Sequence, residues 1–421
     1  MQPKRTTGRD IRRKNRSVLL SELYFHGPLS RLELAERTGL SPATASNVTA
    51  DLIDERILVE AGRVESDGGR PRVLLRVDPE FGHVIGVVVA ETDIRVELFD
   101  LAMTPLAELV SPLVVPASGR LDPDAVADLI VDAVRDVIAV AEVPEESVLG
   151  VGVGVPGIVE QGFTVLVHAQ TIGWDAVPLA RLLRERGLKM PVHLENGAKT
   201  LGQAEMWFGA GRGAGHAVIV LVGTGVGAAV VTNGVTYQGT SSSAGEWGHT
   251  TIVYGGRDCR CGAKGCLEAY IGAQGVLDRY RKARRGREIP GDDEILQFQS
   301  LLDASARSNV AADLLDETAD LLGAGIANLI NLFNPERVVL GGWTGLALGK
   351  RHLPRIRESA RENALPHPYG QANIELCTLG EGAVALGAAT LPVAALLAGA
   401  TPVRKSSVGS AASESVATEV A

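Results

Sequence analysis

The sequence predicts an α/β fold, with sheets of buried strands covered by helices on both faces, preceded by a smaller domain of different construction. Three observations predict it. From about Phe81 onward, runs rich in Val, Ile and Gly alternate with long amphipathic stretches, the pattern of a largely parallel sheet between helical layers. Before Phe81 the chain reads instead as short capped helices followed by a hairpin. At 421 residues, with 45% hydrophobic and 22% charged residues, it can bury two or three cores and has the composition of a folded soluble protein.

The first twenty residues carry Lys4, Arg5, Arg9, Arg12, Arg13, Lys14 and Arg16 against Asp10 alone, although the net charge of the whole chain is -9. A basic arm on an acidic body suits a protein that meets phosphates at one end only. The arm has no apolar centre of a signal peptide, and no run is apolar and long enough to span a bilayer. The expectation is a cytoplasmic protein with no membrane partner.

Two helices follow. Ser30 with Glu33 makes a capping box for the first, Gly39 sits where a left-handed cap belongs, and Ser41 caps a second helix that opens on Pro42. On this second helix Ala45, Val48 and Leu52 share a face, which turns Ala43, Ser46, Asn47 and Ala50 outward. A small polar face can lie close in a major groove, with Ser41, Thr44, Ser46 and Asn47 as candidate contacts to base edges or phosphates. An ordinary helical hairpin carries the same signal. The next stretch, ILVEAGRVESDGGRPRVLLRVDP, reads as strand, turn and strand, with Asp67-Gly68-Gly69 as turn chemistry and Arg63, Arg70 and Arg72 around its tip. By itself it could be a solvated hairpin; after a recognition helix it is a wing against DNA phosphates. Residues 1–80 are therefore expected to form a winged helix-turn-helix domain, two copies of which would read a palindromic site.

In the body, GHVIGVVVA, VLGVGVGVPG, HAVIVLVGTGVGAAVV and RVVLGGW are the expected strands. PDAVADLIVDAVRDVIAVA and AADLLDETADLLGAGIANLINLF are expected helices. Ligands in such folds sit at the carboxyl ends of strands. GTGVG, residues 223–227, could cradle a phosphate on its bare N–H groups, yet it matches neither phosphate-loop nor dinucleotide patterns and is equally a tight turn.

CRCGAKGC, residues 259–266, holds three of the four cysteines, with Cys377 apart. This is not a secreted disulfide framework, and a reducing compartment favours a metal. Zinc takes four tetrahedral N or S ligands. Cys259, Cys261 and Cys266 supply three, and His249, near an expected strand start, completes a closed structural set. Glu246 and Glu268 flank the histidine and the last cysteine. A metal clamp would draw both into one cleft as acceptors for sugar hydroxyls; without it they are surface charges.

The run GTSSSAGEWGHTTIVYGGRDCRCGAKGCLEAYIG closely resembles the signature of the ROK family, which unites bacterial sugar kinases with transcriptional repressors. With LVGTGVGAAVV, GWDAVPL, LENGAKT and NPERVVLGG, the resemblance covers about residues 81–395. It implies an actin-like ATPase fold of two α/β lobes, residues 81–195 and 196–379, with a C-terminal helix at about 380–398 returning to the first lobe. Regulators of the family add an N-terminal winged helix-turn-helix. By the same resemblance His249, Cys259, Cys261 and Cys266 bind structural zinc, and Asn196, Glu246, His249 and Glu268 match the sugar contacts, the histidine using one ring nitrogen for each task. The tail, residues 402–421, is Ser- and Ala-rich without apolar periodicity and is expected to be disordered.

Two departures bear on chemistry. The family's kinases carry a general-base aspartate directly after the asparagine that matches Asn196, where this chain has Gly197. Losing a general base typically costs about 10²–10⁴-fold in rate. The kinases also open the first lobe with an Asp-x-Gly-x-Thr phosphate loop, whereas GVVVAETDI places Val88 and Ala90 at the first two of those positions and adds Glu91 where ATP phosphates would lie. A third departure, Thr171 in place of the asparagine before GW, falls where it would retune which sugar fits. The expectation is a non-enzymatic, sugar-responsive DNA-binding regulator, a repressor of carbohydrate uptake or catabolism genes. Its partners would be operator DNA, a sugar or sugar phosphate, and further copies in a homodimer or tetramer. The alternatives are a ROK sugar kinase with an added DNA-binding domain, and a regulator that answers to a protein partner.

Overall fold

The computed structural model describes residues 7–66, 69–116 and 119–399. Lys4, Arg5, the turn residues Asp67 and Gly68, the side chain of Arg70 and the tail 402–421 lie outside the described residues. The chain divides into two compact units, one running to Phe81 and taking back the chain from Ala395, the other Gly82–Ala394.

In the first unit the described part of the basic arm, from Thr7, is helical. It is the opening of a helix, Gly8–His26, whose Thr7 cap and Asp10 form a capping box. After Gly8 no glycine or proline interrupts the helix, and Leu19, Leu20 and Leu23 give it a buried face. Arg9, Arg12, Arg13 and Lys14 stay exposed on it, while Arg16 donates to Glu55 at 2.5 and 2.7 Å. The helices Arg31–Thr38 and Pro42–Asp54 follow, with the predicted capping box at Ser30, Gly39 at φ 69° and the Ser41 cap all in place. The strands Leu58–Ser66 and Gly69–Val77 pair antiparallel, and Leu29–Ser30 adds to the second of them. One core position differs from expectation. Thr49, rather than Val48, is buried beside Ala45 and Leu52, because its hydroxyl donates to Ala45 O at 2.8 Å and accepts from Arg31 Nε at 3.0 Å.

The second unit holds two five-stranded sheets of matching topology. The first runs Val192–Asn196, Val148–Val155, His83–Val89, Asp93–Asp100, Pro105–Pro112. The second runs Asn373–Leu376, Arg337–Gly341, His216–Val222, Val226–Thr232, Val235–Thr236. In each, three parallel strands continue into an antiparallel meander. Hydrophobic alternation sends residues to both faces of each sheet. Val218, Val220 and Val222 join the helices Ala273–Ala283 and Asn309–Phe333, while Ile219, Val339 and Leu201 of the Gly197–Phe208 helix form a core on the other side. The helix Pro123–Val140 covers one face of the first sheet. The helix Ala383–Leu397 approaches the other so tightly that a Cβ at Gly86 would stand 2.0 Å from Ala385 O, and one at Gly152 1.8 Å from Ala388 O. A third, small antiparallel sheet of Ile158–Glu160, Leu166–Ala169 and Trp174–Val177 carries the GW motif.

Glu97 sits in the first sheet at 8% exposure and pairs in register with Glu108. Burial first, then Glu108, push its carboxyl from 4.5 up to about 7, against the opposing pull of Arg95. A carboxyl raised on folding binds its proton more tightly in the native state, so its contribution to stability falls as pH rises from about 4.5 through about 7. Glu97→Gln is therefore expected to stabilise the protein at pH 8 by on the order of 1–3 kcal/mol and to do little at pH 4, which thermal melts at the two pH values check.

Candidate functional site

The segment after Val235–Thr236 has little regular structure, and its glycines set its path. The expected strand start at His249 is instead a short 3-10 turn, Trp247–His249. Packing explains the difference. Trp247 is buried with its indole N–H on Gly325 O at 3.2 Å, and Gly248 lies so close to Val226 O that a Cβ would stand at 2.3 Å. Beyond it, Thr251 bridges to Cys266 and Asp258 to Lys264. Gly265, at φ 80°, lets the backbone pass where a Cβ would meet Val253 O at 1.7 Å.

The loop closes so that one ligand atom from each of His249, Cys259, Cys261 and Cys266 lies within 4.8 Å of every other. Cys259 Sγ is 3.7 Å from His249 Nδ1, and Cys261 Sγ is 3.7 Å from Cys266 Sγ. Zn–S bonds of about 2.3 Å imply a tetrahedral edge of roughly 3.8 Å, so the donors and their spacing fit a four-coordinate metal. Burial pushes the Cys259 thiol up to about 12 and raises Cys266 as well. A bound cation would reverse that preference and hold thiolates.

Two predicted sugar contacts join this cluster. His249 turns Nε2 toward Glu246 Oε2 at 4.0 Å, so its two ring nitrogens face different partners. Burial raises the Glu246 carboxyl, eased by His249 and Lys199 and reinforced by Glu268. Glu268 is 6% exposed, accepting from Val226 N at 3.0 Å and lying 3.7 Å from Arg260 Nη2 and 3.9 Å from Cys259 Sγ. It ties the metal loop to the glycine turn. Asn196 stands apart at the head of the Gly197–Phe208 helix. Its Oδ1 accepts from Ala198 N and Lys199 N, and its Nδ2 donates to Gly157 O at 2.6 Å. Next to it Gly197 is not forced by crowding, since a Cβ there would have only 3.8 Å contacts.

Sequence reasoning passed over the groups that join these residues. Lys199, 3% exposed, donates to Gln238 Oε1 and Ser242 O at 2.6 Å each and lies 3.9 Å from Glu195 Oε1, pinning the Glu246-bearing segment to the helix behind Asn196. The signal was present, a lysine in the buried first turn of LENGAKT. Arg260 reaches Glu91 at 2.8 and 3.0 Å, and the Thr224 hydroxyl bonds the Glu294 carboxylate. Glu91 and the GTGVG turn stood out in the sequence, but their partners Arg260 and Glu294 lie 169 and 70 residues away and left no local signal.

In the first unit, Ser46 and Asn47 are exposed on the Pro42–Asp54 helix, and Arg63 and Arg72 are exposed on the hairpin. Ser41 and Thr44 are partly engaged with each other, Ser41 Oγ accepting from Thr44 N at 3.1 Å and lying 2.8 Å from Thr44 Oγ1.

Known proteins resemble the chain on two scales. The xylose repressor of Caldicellulosiruptor bescii is 29% identical over 393 residues, covering 92% of this chain and 97% of the repressor. A glucokinase of Halalkalibacterium halodurans is 31% identical over 311 residues, covering 72% of this chain and 92% of the enzyme. A crystal structure of a ROK family transcriptional regulator, a homologue of the Escherichia coli MLC protein, superposes with a TM-score of 0.77 at 24% identity, covering 93% of this chain and 98% of its own, and so shares the fold. The ROK family model matches residues 84–394. The chain belongs to the ROK family.

Proposed function

We propose that this chain is a sugar-responsive, DNA-binding transcriptional repressor that acts in the cytoplasm on genes of carbohydrate uptake or catabolism. The observation that carries this reading is the reach of the likeness to a xylose repressor. Its 393 residues exceed what the Gly82–Ala394 body can supply, so it extends into the first unit. The glucokinase matches a stretch no longer than that body.

Zinc is the metal that the Cys3His donor set suits, in a structural role. When bound it would fix the loop, with His249 holding it through Nδ1 and offering Nε2 to a sugar. Glu246 then accepts from sugar hydroxyls beside that nitrogen, with Glu268 and Asn196 completing the contacts. A kinase would need a base next to Asn196, and Gly197 has no group that takes a proton. Ser46 and Asn47 read base edges, and Arg63, Arg70 and Arg72 hold phosphates. Two copies in a homodimer, or four in a tetramer, present paired helices to a palindromic operator, and sugar binding shifts the population that fits it.

Three outcomes are expected. Glu246→Ala removes the sugar response while operator affinity, read by fluorescence anisotropy, stays within about twofold of wild type. Asn47→Ala weakens specific operator binding by about 1–3 kcal/mol while leaving non-specific binding unchanged, measured against scrambled DNA at fixed salt. Stripping the metal with a chelator, or Cys261→Ser, lowers the melting temperature and abolishes sugar binding together, and elemental analysis of wild-type protein returns one zinc per chain.

A further inference from the structure

We propose that the site around Glu246, His249 and Glu268 takes an uncharged sugar and rejects phosphorylated ligands, because Glu91 and Glu294 occupy groups that would hold a phosphate. This rests on the sugar-binding reading above and names its ligand class.

A phosphate is held by guanidinium or ammonium groups, hydroxyls and backbone N–H groups. Four donors near this site, Arg260, the Thr224 hydroxyl, the Val226 N–H and Lys199, have acceptors within the chain. Arg260 gives Nη1 to both carboxylate oxygens of Glu91 at 2.8 and 3.0 Å, and Nη2 lies 3.5 Å from Thr224 O and 3.7 Å from Glu268 Oε1. The Thr224 hydroxyl, on the glycine turn, is bonded to Glu294. The Val226 N–H at the end of that turn goes to Glu268 Oε2 at 3.0 Å. Lys199 is spent on Gln238, Ser242 O and Glu195.

Four of those acceptors, Glu91, Glu195, Glu268 and Glu294, are carboxylates. An incoming phosphate would have to displace a carboxylate from each donor and then remain beside it, which is a device of exclusion rather than of weak binding. A neutral sugar meets neither obstacle, since its hydroxyls need acceptors, and Glu246 beside His249 Nε2 provides one. Glu91 comes from the first sheet's leading hairpin and Arg260 from between two metal-cluster cysteines, so the pair ties that hairpin to the metal loop.

The test is calorimetry on full-length, metal-loaded protein with free pentoses and hexoses, their terminal phosphate esters, and inorganic pyrophosphate, all at one ionic strength. Wild type is expected to bind a free sugar at least roughly tenfold more tightly than its ester, and to bind pyrophosphate too weakly to measure. Glu91→Gln should leave the free-sugar affinity within about twofold and gain roughly tenfold or more for pyrophosphate, with circular dichroism and zinc content unchanged. Adding Arg260→Gln should cancel that gain. An ester that binds wild type as tightly as its free sugar overturns the proposal, as does Glu91→Gln without any gain for pyrophosphate, or a gain that survives the loss of Arg260. Should no sugar bind wild type while Glu91→Gln gains pyrophosphate, the sugar-binding reading fails and the exclusion of phosphate stands.

Discussion

The convergence of one imidazole and three thiols is the constraint on which the rest of the site depends. From Gly239 to Gly265 the chain has almost no regular hydrogen-bonded structure, and it turns through Gly239, Gly245, Gly255, Gly262 and Gly265 at positive φ. Such a segment loses much conformational entropy on folding and gains few ladder hydrogen bonds in return. A four-ligand metal bound there would offset that cost at a single point. The candidate contact residues nearby are placed by the same loop. Glu246 is placed by the turn that delivers His249, Arg260 lies between two ligands, and Glu268 follows Cys266 by two residues.

Around this point the body repeats one topology twice, three parallel strands and an antiparallel meander, and uses the halves differently. The second sheet supplies the glycine turn between its central pair of strands, to which Glu268 and Glu294 bond. The first supplies Glu91 just beyond its leading strand. In a kinase such turns would face a nucleotide. Here carboxylates of the same chain bond to groups on these turns, and Gly197 has room for a side chain.

What the sequence disclosed and what it concealed divide along contact range. Caps at Ser30, Ser41 and Gly39, the Val- and Gly-rich strands, and the spacing of the cysteines are local signals, and local physics decides them. The resemblance carried by EWGHTT and CRCGAKGC linked His249 to the cysteines before any geometry was known. Other features required packing. The basic stretch before Ser17 carries no apolar repeat, so its helix showed only once Leu19, Leu20 and Leu23 had a partner face. Thr49 displaced Val48 from the core because a hydroxyl bonded to Ala45 O and Arg31 is as well satisfied there as a methyl. The predicted strand at His249 gave way to Trp247, whose burial under Gly325 the flanking residues do not announce. Gly86 and Gly152, within strands, make room for the backbone of a helix some 230 or more residues later in the chain.

The central claim is that one molecule joins operator recognition to a sugar. It is tested most directly by selecting genomic DNA fragments on the zinc-loaded protein at fixed salt, with and without a panel of sugars, since affinity for DNA depends steeply on ionic strength. The account predicts enrichment of one palindromic site beside carbohydrate genes, released by a single free sugar. Uniform retention of all fragments, unchanged by any sugar, would contradict it.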